Sequence, residues 1–91
     1  MRPNQFFGKT VIDTEAKIVG EVSDLEFDTS NWTITHICIN LSDDAIKMLG
    51  YSKPFLGKVS VVVPIEIVEK VSDLVSINKN ISQLQKIIER R

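Results

Sequence analysis

Gly8-Lys9-Thr10-Val11-Ile12-Asp13, resumed at Gly20-Glu21-Val22-Ser23-Asp24-Leu25-Glu26-Phe27-Asp28, is the stretch whose reading decides the fold. A second stretch answers it: Val63-Pro64-Ile65-Glu66-Ile67-Val68-Glu69-Lys70-Val71-Ser72-Asp73-Leu74-Val75. Both alternate β-branched residues with polar ones and are punctuated by Gly, Asp or Pro, the pattern of short strands that turn often. From Lys17 to Asp28 the apolar parity changes. Ile18, Gly20 and Val22 share one face, then Leu25 and Phe27 take up the same side, which requires one extra residue near Ser23 or Asp24. A β-bulge there is the simplest device that adds it.

Outward from this segment, Lys9–Asp13 reads as a strand and Asp13-Thr14-Glu15-Ala16 as a turn. Asp28-Thr29-Ser30-Asn31 is a second turn, because Asp and Asn side chains bond nearby backbone groups. Trp32–Leu41 follows as a strand, with Ile37, Ile39 and Leu41 on one face and Trp32, Ile34, His36 and Cys38 on the other. Neither face is wholly polar, so cover on both sides is expected. Ser42 caps a short helix that has Asp43 and Asp44 in its first turn and Gly50 at its end. Tyr51–Gly57, containing Pro54, is a loop. The strand Lys58–Val63 ends at Pro64, which opens a helical turn carrying Ile65, Ile67 and Val68. Asp73 turns the chain into a last short strand, Leu74–Ile77. Asn80 with Gln83 forms a capping box for a final helix over about residues 81–90, where Ile81, Leu84 and Ile88 share a face.

The totals bound the function. Ninety-one residues make one domain, with 43% hydrophobic and 25% charged residues as in an ordinary globular protein. The net charge of -1 gives no overall pull toward nucleic acid or anionic lipid. Its distribution is uneven: residues 1–44 carry three basic side chains against eight acidic, and residues 45–91 carry eight basic against four acidic. Cys38 is the only cysteine, which excludes an intrachain disulfide framework and points to a reducing compartment. With no leader pattern after Met1 and no long apolar run, the expected location is cytoplasmic.

Taken together, these patterns resemble the PRC-barrel superfamily, and most of all its short free-standing archaeal members. The resemblance runs from Gly8 to Ile88 through the helix at Asp43–Leu49, the Phe55–Lys58 loop, Val63-Pro64, Val71–Val75 and Ile81–Leu84. It implies a mainly β fold, a small barrel of five to six mostly antiparallel strands with a short internal helix and a C-terminal helix. One position departs from the family pattern: Ala16-Lys17 stands where glycine is common. Alanine takes a left-handed conformation only at a cost, so a longer turn or another turn type is expected there. The resemblance further implies a non-enzymatic interaction module without a cofactor, placed by its archaeal relatives near cell-division machinery that includes the SepF ring anchor. The alternative it offers is an RNA- or ribosome-associated assembly factor like the C-terminal domain of RimM.

Few residues carry chemistry. His36 and Cys38 point to the same strand face and form a weak candidate metal pair, two ligands short of a closed zinc site. As a nucleophile and base they start too far apart, at about 6–7 Å. Asp13, Glu15, Asp24 and Asp28 fall in or near turns, where bonding to backbone N–H groups is the expected role. A basic C-terminal cluster of Lys53, Lys58, Lys79, Lys86, Arg90 and Arg91 has only Tyr51 and Phe55 beside it, little for stacking on bases. The apolar residues exceed what one small barrel holds, so a homodimer is expected. Trp32, Ile34, Val61, Val63, Ile81, Leu84 and Ile88 are the candidate interface residues.

Overall fold

A computed structural model describes residues 6–51 and 58–89. The expected loop at Tyr51–Gly57 therefore lies outside the described residues except for Tyr51, as do Arg90 and Arg91. Six strands form one mixed sheet: β1 (Thr10–Ile12), β2 (Ile18–Asp28), β3 (Thr33–Leu41), β4 (Ser60–Pro64), β5 (Val68–Val71) and β6 (Leu74–Ile77). Their order across the sheet is β4-β3-β2-β1-β6-β5, antiparallel throughout except for the parallel pair of β1 and β6. The protein is thus mainly β with two short helices, α1 (Asp43–Leu49) and α2 (Ile81–Leu84). The sheet curls around its core, but β4 and β5 do not pair, so the expected barrel is open rather than closed.

Bulges set which residues enter the core. The register of β2 against β3 slips between Val22 and Asp24, the extra residue that the parity change requires, and slips again between Glu26 and Phe27. Against β1, β2 slips once more between Val11 and Ile12, which sends Val19 inward. Two residues expected on the inner face are consequently displaced from it. Ile18 and Phe27 are exposed, because a one-residue slip reverses which side of the pleat a side chain takes. Gly20 sits where the strands come closest: a Cβ there would lie 2.0 Å from the Asn40 carbonyl oxygen.

One core gathers the inner faces, with Val11, Val22, Leu25, Ile37, Ile39, Val61, Val63, Val75 and Ile77 from the sheet and Ala45, Ile46, Leu49, Ile81 and Leu84 from the helices. Helix α1 begins as its sequence dictates. Ser42 Oγ accepts from the Ala45 N–H, and Gly50, at φ 78°, closes the helix. The Asn80–Gln83 capping box is formed at the start of α2. This helix stops at Leu84, short of the expected run to residue 90; residues 85–87 turn, and Glu89 pairs with Val62 on the outer edge of β4. Pro64 opens a 3₁₀ turn, Ile65–Ile67, the chain returns to a strand at Val68, and β5 and β6 form a hairpin that turns at Asp73. The Lys9 ammonium donates to the Ser72 carbonyl and ties that hairpin to the start of β1.

Asp13 links the two ends of the domain. It is 4% exposed, and its Oδ1 accepts from the N–H groups of Glu15 and Lys17, both at 2.9 Å. Its Oδ2 accepts at 3.2 Å from the Ile81 N–H, the first of α2. A turn carboxylate is therefore also the seat of the C-terminal helix. Within the same turn Ala16 does adopt the left-handed conformation, at φ 60°, so the turn is neither longer nor of a type that avoids it.

Candidate interaction site

The β2–β3 hairpin tip holds the most exposed aromatic of the described residues. Asp28 Oδ1 accepts from the backbone N–H of Ser30 at 2.9 Å and from its hydroxyl at 2.6 Å. Asn31 Oδ1 accepts from the backbone N–H of Thr33 at 3.2 Å and from its hydroxyl at 2.6 Å. These two side-chain turns fix the backbone on either side of Trp32. Trp32 itself lies in the turn at φ 58°, outside the strand expected to begin with it, and is 77% exposed. Phe27 stands opposite Ile34 at the end of the ladder, itself exposed, while Ile34 is half-buried against the core. The arrangement presents an indole and a phenyl ring on a constrained tip, so little backbone freedom remains to be lost when a partner covers them. Tryptophan in such a setting is the residue type that most often anchors an interface.

The remaining interface candidates divide. Val61, Val63, Ile81 and Leu84 are all buried within the chain's own core, which removes them from any partner surface. All four belong to one core cluster that the sheet shares with the two helices, α2 packing beside α1. Ile88 is half-buried against the same core. Sequence reading missed Phe27, Ile18 and Met48 as surface residues. The signal for Phe27 and Ile18 was present in the strand parity but needed two further bulges to decode.

Ile18 and Met48 flank an open groove of about 930 Å³ beside α1, with Lys17, Lys47, Asp43 and Asp44 on its walls. A neighbouring cleft of about 550 Å³ runs between the start of β2 and α1. Two polar side chains on its wall bond within the fold: Asn40 Oδ1 accepts from the Ser60 hydroxyl, and the Ser42 hydroxyl donates to the Ile18 carbonyl.

His36 and Cys38 share the outer face of β3, as the alternation requires, with Glu26 and Asp24 as their cross-strand neighbours on β2. His36 Nε2 lies 2.8 Å from Glu89 Oε2, and Nδ1 lies 2.9 Å from the Thr35 hydroxyl and 3.5 Å from Glu26 Oε1. An ionised carboxylate only accepts, so Nε2 carries the proton in its bond to Glu89. His36 thereby serves as a clasp between β2, β3 and the C-terminal segment. Among the described residues no three His, Cys, Asp or Glu side chains converge as a metal-holding group. Asp13 and Asp28 at the turns and Asp24 at the bulge within β2 all accept backbone N–H groups close in sequence.

No protein-family model matches the chain, and no curated protein matches it. Among the described residues no helix is long and apolar enough to cross a membrane.

Proposed function

We propose that this chain is a non-enzymatic protein-binding module of the PRC-barrel type, working as a homodimer and engaging another protein through the β2–β3 hairpin tip. The observation that carries this reading is Trp32, an indole 77% exposed on a turn held by Asp28 and Asn31. A partner that covers this side chain removes its apolar surface from water, a favourable contribution of roughly 25 cal/mol per Å². The sequence resemblance adds the setting: a cytoplasmic partner of the archaeal division apparatus, of the SepF type.

Affinity purification of tagged protein from its native cell, wild type against Trp32→Ala, tests the reading. A stoichiometric partner recovered with the wild type and reduced at least tenfold with the variant supports it. Recovery of the same proteins by both forms overturns the role of Trp32, and recovery of ribosomal components in place of a division protein moves the assignment to ribosome assembly.

A further inference from the structure

β4 is an edge strand of the sheet, and its outer edge carries little backbone pairing among the described residues. On its inner side β4 pairs with β3 from His36↔Pro64 to Asn40↔Ser60. Among the described residues its outer side is met by one residue, Glu89. In an antiparallel ladder, alternate residues turn their N–H and C=O groups to the same side. Val62 bonds Glu89, so the backbone groups of Ser60 and Pro64 face outward with it. Pro64 has no N–H to leave unpaired, which is where proline belongs on an edge strand.

Glu89 shows what this edge accepts. The Val62 N–H donates to the Glu89 carbonyl at 3.2 Å, and the Glu89 N–H donates to the Val62 carbonyl at 2.7 Å. The Glu89 side chain then reaches His36, which stands two residues from Cys38, the partner of Val62 on β3. Two backbone bonds and one bond from an imidazole to a carboxylate specify an extended residue with an acidic side chain.

Among the described residues the C-terminal segment meets this edge through the Val62–Glu89 bridge, and its sequence has another preference. From Ile81 to Arg91 there is no Gly, Pro, Asn or Asp, and Gln, Lys, Leu, Glu and Arg all favour helix. The Ile88 N–H already donates to the Leu84 carbonyl at 2.9 Å, the spacing of a helical bond. Release of Glu89 breaks its backbone bonds to Val62 and its bond to His36 and lets α2 grow by its own propensity. A conflict between local preference and adopted structure is characteristic of sites that move in function.

We propose that the outer edge of β4 is a strand-acceptor site for a partner protein, which adds an extended segment whose carboxylate takes the place of Glu89 at His36. The C-terminal segment is its intramolecular competitor. A second copy pairing through its own β4 fits less well. Residues 59–64 contain no acidic side chain to meet His36, and two-fold pairing about Val62 would set Pro64, lacking an N–H, opposite Ser60. Strand addition of this kind takes affinity from the backbone and specificity from side chains at alternate positions. The proposal rests on the reading of the chain as a protein-binding module but not on Trp32, so the two tests fail separately.

The test uses full-length protein and a fluorescent peptide of the sequence Gln-Lys-Ile-Ile-Glu-Arg-Arg as a surrogate partner segment. Glu89→Lys weakens the internal competitor, and this variant is expected to bind the peptide at least tenfold more tightly than the wild type, with the Val62 amide signal shifting on binding. Replacing the peptide's Glu by Gln is expected to weaken binding at least fivefold, and His36→Ala in the same background to erase that difference. No binding at millimolar peptide, equal binding of Glu and Gln peptides, or assembly of Glu89→Lys without peptide into a larger oligomer than the wild type forms overturns the proposal. Hydrogen exchange of the wild type gives a reading free of any variant. The Val62 amide is expected to exchange at least a hundredfold faster than that of Ile39, and exchange of both only by global unfolding overturns the competitor role.

Discussion

Ala16 and Trp32 both hold positive φ without being glycine, and the two have different standing. Ala16 completes a turn whose other bonds come from Asp13, and its left-handed conformation places its Cβ against its own carbonyl. Ala16→Gly is therefore expected to raise stability by about 1 kcal/mol, read as an increase in urea midpoint at constant slope. A decrease would show that the lost side chain restrains the unfolded chain more than it strains the turn. At the other tip the Ser30 hydroxyl, followed by the Ser30 backbone N–H, holds the Asp28 carboxyl below the ordinary aspartate range. A lowered acid contributes stability that is complete above its unfolded value and fades as pH falls through the folded one. Ser30→Ala is expected to move the Asp28 titration upward, seen in its carboxyl carbon shift. An unmoved titration would assign the lowering elsewhere.

At the scale of elements, the decisive joint is Asp13. It serves the β1–β2 turn and the first N–H of α2 together, so its loss loosens two elements distant in sequence. Asp13→Ala leaves a buried N–H at Ile81 without its acceptor, and a loss of about 3 kcal/mol is expected in chemical denaturation. Asp13→Asn keeps one accepting oxygen and is expected to lose less. A cost below about 1 kcal/mol for the alanine variant would mean that water replaces the carboxylate. The caps of α1 and α2, the bulge near Ser23 and the Pro64 corner were all readable from local residues, because each depends on side chains within a few positions. The early end of α2 was not. Its sequence favours continuing, and it stops because Val62 and His36, on other strands, capture Glu89.

Across the whole molecule the sheet stays open, with extents of 36 × 26 × 23 Å, and its long strands carry exposed apolar residues to both ends of β2. Part of the apolar surplus that suggests a dimer is absorbed by the chain itself, through Val61, Val63, Ile81 and Leu84. Among the described residues, Phe7, Ile18, Phe27, Trp32, Met48 and Leu74 remain outside. Light scattering is expected to give twice the 10.3 kDa chain mass at micromolar concentration. A monomer there would mean that these residues serve other partners alone.

The sequence by itself determined that the chain is mainly β, where it turns, and how each helix begins, since strand alternation and capping are decided by neighbours along the chain. Tertiary structure decided which apolar residues of β2 reach the surface, because two slips of register beyond the one near Ser23 reverse the side of the sheet a residue takes. It also decided that His36 meets Glu89, a pair 53 positions apart, which no local pattern encodes and only the folding of the C-terminal segment onto β4 brings together.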